Sequence, residues 1–417
     1  MSRVVVVGQG YVGLPLAMRA VAAGHDVIGL DTSVARVKRL SAGESFVEDV
    51  SASTLRAALD TGRYHATDSP GSCDGFDVAV VTVPTPLREG APDLRCIEQA
   101  AQTLAPFVTP GSLVVLESTT YPGTTDAVFV PLLEAGSALR AGTDFAVGYS
   151  PERIDPGNQQ WTLQTTPKVV SGIDAHSLAR TEAFYRTIVD ETVAVSSTKS
   201  AELAKLLENT FRHVNVALVN ELAMVAADLS IDVWEAIDAA ATKPFGFMRF
   251  TPGPGVGGHC LPIDPSYLSW TVRQRLGRSF RFVELANDIN DHMPDYVVSR
   301  LVHALNRQGR AMSRSRILVL GLAYKRNSGD ARECPAAALI DLLVRQGAEV
   351  AVADPHVVED ERDDVRRVTL CRAELAAADA VVLVTDHDAF DYDLIVEQAR
   401  YVLDTRHRLE GEHVEQL

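Results

Sequence analysis

One cysteine of this sequence lies in a setting suited to nucleophilic chemistry. Cys260 ends the run Gly257-Gly-His-Cys260, and Asp264 follows four residues later. Glycines let a ligand approach a thiol closely, and a thiol can capture an aldehyde as a thiohemiacetal, from which a hydride leaves to give a thioester. Asp264 could then activate or position a hydrolytic water. The alternative is a buried, inert thiol, because that is the commonest fate of a free cysteine.

A lysine and an asparagine share one face of a predicted long helix. Lys205 and Asn209 are four residues apart, which brings side chains together on a helix, and Arg212 extends near the same side. An ammonium group and an amide could donate hydrogen bonds to an alkoxide or a sugar hydroxyl. A solvated helix face is the alternative for Lys205, and we interpret Glu202 and Glu208 in that way.

A glycine-rich turn near the start of the chain predicts a nucleotide site. The run Gly8-Gln-Gly-Tyr-Val-Gly13 directly follows an apolar strand pattern and precedes a helical one. This pattern is typical of a turn whose backbone approaches a pyrophosphate at a helix N-terminus. Asp31 ends the next strand pattern, where its carboxylate can accept hydrogen bonds from a ribose and would repel a 2′-phosphate. The sequence therefore predicts NAD rather than NADP.

Strand patterns alternate with helical patterns in the first and last parts of the chain, which favours parallel, doubly wound sheets. The first set of predicted strands covers residues 3–7, 25–30, 77–83, 113–117, 145–149 and 192–195. The middle of the chain lacks strand patterns, and its predicted helices are 201–228, 233–241 and 282–308. Strand patterns resume at 316–321, 349–353, 380–384 and 401–404, with a helix at 335–345.

These elements predict an α/β protein with two doubly wound, Rossmann-like domains joined by a helical central domain that contains a long central helix. The predicted domains are 1–196 for NAD, 197–308 for the helices and the cysteine loop, and 309–417 for the nucleotide sugar.

Composition narrows the possible partners and compartment. The chain has 39 Lys+Arg against 55 Asp+Glu, a net charge of −16, which disfavours nucleic acid as a partner. Its five cysteines are widely spaced, so we expect no metal site and a reducing compartment. No signal peptide and no apolar run of about 20 residues is seen. We therefore expect a cytoplasmic protein that has no membrane partner.

Taken together, the motifs resemble those of the UDP-glucose/GDP-mannose dehydrogenases, which oxidise C6 of a nucleotide sugar by four electrons with NAD. The resemblance covers nearly the whole chain and favours the nucleophilic interpretation of Cys260. It rests on residues 8–15, 83–86, 117–124, 150–157, 166–168, the helix of Lys205 and Asn209, 252–265, and 321–325 through 332–335.

The resemblance implies a role for each candidate residue. Cys260 is the nucleophile, Lys205 and Asn209 stabilise the oxyanion at C6, and Asp264 works with a water in proton transfer. Thr119 and Glu152 hold the hydrolytic water. The implied cofactor-binding residues are Gly8, Gly10, Tyr11, Val12, Gly13, Asp31, Arg36, Pro84, Thr85, Ser118, Thr119 and Arg332. The implied substrate-binding residues are Glu152, Arg153, Lys205, Asn209, Arg212, Phe250, Gly257 and Lys325.

The resemblance also bears on the assembly and the substrate. It implies a homodimer or higher homo-oligomer, because the central helices make the dimer in this family. Arg153 and the cysteine loop look like the branch that oxidises UDP-N-acetylhexosamines to uronates, with UDP-glucose the second choice and GDP-mannose the third. Two further alternatives are a nucleotide-binding homologue without catalysis and a simple two-electron hydroxyacid dehydrogenase, which would need no nucleophilic cysteine.

Overall fold

The computed structural model describes residues 1–154, 158, 160–258, 261–357 and 365–417. The chain divides into two compact units, residues 1–208 and 209–417. The three predicted domains, with boundaries at 196/197 and 308/309, stay a prediction.

The first unit is built around an eight-stranded sheet. Its strands are β1 Arg3–Val7, β2 Asp26–Leu30, β3 Tyr64–Thr67, β4 Val78–Val81, β7 Leu113–Leu116, β8 Ala146–Tyr149, β9 Lys168–Gly172 and β10 Thr192–Ala194, and a separate hairpin pairs β5 Leu87–Arg88 with β6 Ala91–Pro92. The strand order is β10-β9-β8-β7-β4-β1-β2-β3. All neighbours in this sheet are parallel except β8 and β9.

Helices flank the strands of the first unit. They are α1 Gly13–Ala22, α2 Val34–Ser41, α3 Ala52–Asp60, α4 Arg95–Leu104, α5 Val130–Ser137 and α6 Ala175–Tyr185. A π-helical turn, Thr125–Phe129, leads into α5. The long helix α7, Thr198–Asp228, begins here. Apolar residues of β1 such as Val4 and Val6 are completely buried, as expected for a central strand covered on both faces.

The second unit contains a six-stranded, all-parallel sheet. Its strands are β11 Arg316–Leu320, β12 Glu349–Ala353, β13 Arg366–Arg367, β14 Ala380–Leu383, β15 Val402–Asp404 and β16 Val414–Gln416. Their order, β13-β12-β11-β14-β15-β16, is the 3-2-1-4-5-6 order of a Rossmann fold. The helices are α8 Val233–Ala241, α9 Asp264–Leu276, α10 Arg281–Asp291, α11 Met293–Arg307, α12 Pro335–Arg345, α13 Arg372–Ala377 and α14 Tyr392–Gln398.

The predicted fold class is confirmed: parallel sheets of Rossmann type and a long central helix are present. The single helix predicted over residues 282–308 is wrong, because α10 ends at Asp291 and α11 begins at Met293. Pro294 stands in the first turn of α11, where a missing N–H is tolerated and a continuing helix is not. No helix in the described part of the chain is long and apolar enough to cross a membrane.

Candidate active site

The glycine-rich turn after β1 has the geometry of a phosphate cradle. Gly8 has a φ of +91°, and a Cβ added there would lie 2.8 Å from the carbonyl oxygen of Thr82. A Cβ on Gly13 would lie 1.8 Å from the oxygen of Gly8. No described side chain caps α1 at Val12, so N–H groups of its first turn can serve a pyrophosphate. The turn therefore fits a dinucleotide.

Asp31 anchors this turn from the end of β2. Its buried carboxylate accepts hydrogen bonds from the N–H groups of Gln9 at 2.8 Å and Ser33 at 2.9 Å. The guanidinium of Arg36 donates to it at 2.9 Å. Asp31, which is predicted to contact a ribose, thus also holds the glycine-rich turn and forms an ion pair with Arg36.

The other predicted cofactor residues of the first unit lie at the same, carboxyl edge of its sheet. Pro84 is exposed and Thr85 is buried after β4, whereas Ser118 is buried and Thr119 is half-buried after β7. The Ser118 hydroxyl donates to the carbonyl of Val83 at 2.8 Å, which joins the two segments. The structure thus gathers the predicted residues that follow β1, β2, β4 and β7.

A buried ion pair fixes the ends of β7 and β8. The side chains of Lys168 and Glu117 are 3% and 0% exposed, and the Lys168 ammonium donates to the Glu117 carboxylate. It also donates to the carbonyl of Pro151 at 3.0 Å, and the hydroxyl of Tyr185 donates to Glu117 at 2.7 Å. Burial and the charge of Glu117 raise the pKa of Tyr185 well above its ordinary value, so this phenol stays a donor.

Two consecutive residues after β8 form ion pairs with the start of α7. The Lys205 ammonium lies 3.4 Å from the Glu152 carboxylate, and both residues are buried. The Arg153 guanidinium lies 2.7 Å from the carboxylate of Glu208 and donates to the carbonyl of Pro167 at 2.6 Å. The predicted catalytic residues Glu152 and Lys205 are therefore in contact, and Arg153 is held beside them.

The interpretation of Glu202 as part of a solvated helix face is wrong, and that of Glu208 is incomplete. Glu208 is partly exposed but paired with Arg153. Glu202 is completely buried and accepts hydrogen bonds from the N–H groups of Gly123 and Thr125. The turn before the π-helix presents donors that lack helical partners, and α7 supplies the acceptor.

In the second unit, α7 and the start of α9 hold two other predicted residues together. The Asn209 amide donates to the Asp264 carboxylate at 2.6 Å, and both residues are buried. Asp264 is the first residue of α9, where a helix N-terminus stabilises a carboxylate. Asn220, further along α7, accepts a hydrogen bond from the Gly253 N–H at 2.9 Å. These contacts hold Gly253 and Asp264, which precede and follow Cys260 in the sequence.

Cys260 itself lies outside the described residues, as does His259. The glycines before it pack closely against the motif that follows β11. A Cβ on Gly257 would lie 2.8 Å from the carbonyl oxygen of Glu333, and one on Gly258 would lie 2.8 Å from the ring of Tyr324. Only glycine fits at these two positions.

Asp354 holds the loop that carries Lys325. Its carboxylate accepts hydrogen bonds from the N–H groups of Leu322 at 2.6 Å and Ala323 at 3.0 Å, and it pairs with the ring of His387 at 3.0 Å. Burial alone would raise the pKa of Asp354, but the bonds from His387 and the backbone hold that pKa well below its ordinary value. Lys325 therefore follows an anchored turn.

Three more predicted residues of the second unit are Arg332, Arg212 and Phe250. Arg332 is largely exposed and forms an ion pair of 2.5 Å with Asp330. Arg212 is exposed on α7, and Phe250 is half-buried with its ring edge-on to Phe211, at 5.8 Å between centroids.

Sequence reasoning missed Arg406, which follows β15 at the carboxyl edge of the second sheet. Its guanidinium donates to the carbonyl of Val384 at 2.7 Å, and a Cβ on Gly253 would lie 2.8 Å from one of its terminal nitrogens. Burial lowers the pKa of Arg406, while the charges of Asp386 and Asp404 act in the opposite direction. A basic residue directly after a strand of this sheet was the available signal, since ligands bind at that edge.

Comparison with known proteins places this geometry in context. Sequence models of the UDP-glucose/GDP-mannose dehydrogenase family match residues 2–189 with the NAD binding domain, 199–292 with the central domain and 318–411 with the UDP binding domain. The match of the first region confirms the prediction of NAD as the cofactor.

Two relatives and two solved structures illustrate the similarity. The chain is 36% identical to the UDP-N-acetyl-D-mannosamine dehydrogenase of Pyrococcus horikoshii over 93% of this chain and 90% of that protein. It is 36% identical to the UDP-N-acetyl-D-glucosamine 6-dehydrogenase of Pseudomonas aeruginosa over 93% and 91%.

The solved UDP-D-ManNAc dehydrogenase of Pyrococcus horikoshii superposes with a TM-score of 0.90 at 33% identity and covers 99% of this chain and 98% of that one. The solved UDP-glucose dehydrogenase of Pyrobaculum islandicum superposes with a TM-score of 0.87 at 26% identity and covers 100% and 96%.

Replacing Lys168 by methionine should strongly destabilise the first unit, because the substitution leaves the buried charge of Glu117 without its cation. We expect a loss of about 3–5 kcal/mol in the free energy of unfolding, measured by urea denaturation. The control is Lys199→Met, because the Lys199 side chain is 61% exposed and its loss should cost less than about 0.5 kcal/mol. Equal losses for the two variants would contradict the structural role of the pair.

Proposed function

Because this chain belongs to the UDP-glucose/GDP-mannose dehydrogenase family, we propose that it oxidises the C6 hydroxyl of a UDP-N-acetylhexosamine to the uronate. The observation that carries the proposal is the pairing on α7: Lys205 with Glu152 in the first unit, and Asn209 with Asp264 in the second. Buried ionisable groups that are held in specific pairs cluster at functional sites, so these pairs favour an active enzyme over a homologue without catalysis.

NAD would be held by the turn at residues 8–13 and by Asp31, and its nicotinamide would accept the hydride in each oxidation. In the first oxidation the C6 alcohol loses a hydride and its hydroxyl proton. Lys205 and Asn209 donate hydrogen bonds to the C6 oxygen while negative charge develops on it, and such aligned donors contribute roughly 3–4 kcal/mol each. Asp264 takes up the proton through a water molecule.

The second oxidation needs a covalent step, since an sp² aldehyde cannot release a hydride directly. The thiolate sulfur of Cys260 adds to C6, a carbon–sulfur bond forms, and the carbonyl electron pair moves to the oxygen. Lys205 and Asn209 stabilise that oxyanion. When the carbonyl re-forms, C6 loses its hydride and becomes a thioester of Cys260.

Hydrolysis completes the cycle. Thr119 and Glu152 hold a water that attacks the thioester, the carbon–sulfur bond breaks, and the thiolate of Cys260 leaves. One alcohol, one water and two NAD thus give one carboxylate, two NADH and three protons. A two-electron hydroxyacid dehydrogenase would stop at a carbonyl and would require neither Cys260 nor this water.

We propose that the nucleotide is a uridine diphosphate bound by the second unit. Lys325, on the loop that Asp354 holds, and Arg406 supply positive charge for its phosphates. The names of the relatives favour an N-acetylhexosamine, and UDP-glucose is the second candidate because a UDP-glucose dehydrogenase superposes well. GDP-mannose is third. Arg153, oriented by Glu208, contacts the sugar in this proposal, together with Phe250, Arg212 and Gly257.

A homodimer formed through α7 is also proposed. Four large apolar side chains on the second unit's part of this helix, and Leu229 directly after its last residue, recur at three-, four- and seven-residue spacings. Each is at least 45% exposed: Phe211, Leu218, Leu222, Val225 and Leu229. Such a heptad-like stripe is typical of helix-to-helix packing. A second copy of the chain offers the same stripe, as two-fold symmetric dimers require.

The substrate proposal is tested by initial rates of NADH formation with a panel of UDP-, GDP- and TDP-sugars and the matching sugar 1-phosphates. We expect turnover of UDP-N-acetylhexosamines or UDP-glucose, with kcat/KM at least about 100-fold lower for the 1-phosphates, because the nucleotide supplies binding energy remote from C6. The product mass should show a carboxylate in place of the CH₂OH group. Equal rates with a 1-phosphate, or an aldehyde as the final product, would contradict the proposal.

The dimer is tested by sedimentation equilibrium of the wild type and of a Leu222→Glu variant. The wild type should have at least twice the mass of one chain, and the variant should dissociate because it places a carboxylate in the apolar stripe. Val344→Glu is the matched control, since Val344 is 39% exposed and belongs to a different helix, α12. A monomeric wild type, or a variant as associated as the control, would argue against the interface.

A further inference from the structure

The completely buried carboxylate of Glu202 caps the turn that follows the proposed cofactor residues Ser118 and Thr119. One of its oxygens accepts the Gly123 N–H at 2.5 Å. The other accepts the Thr125 N–H at 2.9 Å and the Thr125 hydroxyl at 2.7 Å. Thr125 begins the π-helical turn that leads into α5, so Glu202 supplies acceptors that the start of this helix lacks.

Two buried carboxylates therefore bracket residues 118–123, which we call the 118–123 segment. Glu117 precedes the segment and is neutralised by Lys168. Glu202 holds its far end, and none of the ion pairs in the described part of the chain includes Glu202. One end of the segment is thus held by a charge-balanced pair, whereas the other is held by hydrogen bonds alone.

The charged groups around Glu202 do not balance its charge. Asp126 follows the turn and repels it. On α7 itself, Lys199 lies 3.8 Å from Asp126, and Lys205 lies 3.4 Å from Glu152. Burial raises the pKa of Glu202 to about 7, and the charge of Asp126 adds to the rise, while the hydrogen bonds from Gly123 and Thr125 act in the opposite direction.

We propose that Glu202 is a positioning residue whose ionisation fixes the 118–123 segment for NAD binding. This inference rests on the proposed function only in assigning Ser118 and Thr119 to the cofactor. An ionised carboxylate accepts hydrogen bonds about twice as strong as those to a neutral group, and a helix N-terminus favours a negative charge. Protonation weakens the bonds to Gly123 and Thr125, and the segment loosens at that end.

The test is the dissociation constant of NAD, measured by titration of the protein's fluorescence between pH 5.5 and 8.5. The wild type should bind about tenfold more weakly at the acid end, which corresponds to one lost charge-assisted hydrogen bond. In Glu202→Gln, an amide nitrogen must face one of the backbone N–H groups. That variant should bind NAD about tenfold more weakly at pH 8.5, and its affinity should be independent of pH.

Two neighbouring substitutions should move the transition in opposite directions. Thr125→Val removes a hydrogen bond that lowers the pKa of Glu202. The loss of affinity for NAD should therefore begin at a pH that is higher by about 0.5 pH unit or more. Asp126→Asn removes a charge that raises that pKa, so the loss of affinity for NAD should begin at a lower pH, by a similar amount. Thr125→Ser keeps the hydroxyl and should behave as the wild type.

A pH-independent affinity in the wild type, or a transition that neither Thr125→Val nor Asp126→Asn moves, would overturn the inference. These two variants keep the proposal testable if Glu202→Gln fails to fold. The measurement needs no sugar substrate. If no nucleotide sugar is turned over, the proposed function is wrong. A pH-dependent affinity for NAD would still support the role of Glu202.

Discussion

The ion pair between Lys168 and Glu117 is the constraint on which the chemistry of the first unit depends. A buried carboxylate must be neutralised, and the cation that neutralises it comes from another strand, β9. Because Lys168 also holds the carbonyl of Pro151, the pair fixes the carboxyl ends of β7 and β8 relative to each other. Thr119 and Glu152, the residues proposed to hold water, each lie three residues beyond these two ends. They are thus placed by a buried electrostatic contact rather than by a surface loop.

The same position in the two sheets serves different purposes. Asp31 directly follows β2 and Asp354 directly follows β12, and each of these strands pairs with the first strand of its sheet. Asp31 accepts three hydrogen bonds, one of them from Arg36, whose side chain is 41% exposed. Asp354 accepts five, all from its own unit, and its side chain is 0% exposed. The carboxylate of Asp354 therefore holds the turn before Lys325 with all of these bonds. This agrees with the absence of a GxGxxG motif from this part of the sequence.

Sequence reasoning succeeded where local patterns and burial agree. The unit β1-α1-β2 was predictable because its strands are apolar runs covered on both faces and its turn requires glycine at Gly8 and Gly13. Strand β9 was missed because it begins with Lys168, whose charge is buried only through a partner distant in sequence. The prediction for Glu202 was wrong for a related reason. Its carboxylate accepts hydrogen bonds from N–H groups about 80 residues earlier in the chain, and the periodicity of α7 does not reveal these partners.

The central claim is that the second oxidation passes through Cys260, and the yield of NADH under limiting sugar with excess NAD tests it most directly. We expect two NADH and one 6-carboxylate per sugar. Cys260→Ala should still bind NAD but form uronate at least about 10³-fold more slowly, as for loss of a covalent nucleophile, whereas Cys371→Ala, which removes an exposed free thiol, should behave as the wild type. One NADH per sugar in the wild type, or normal uronate formation by Cys260→Ala, would contradict the claim.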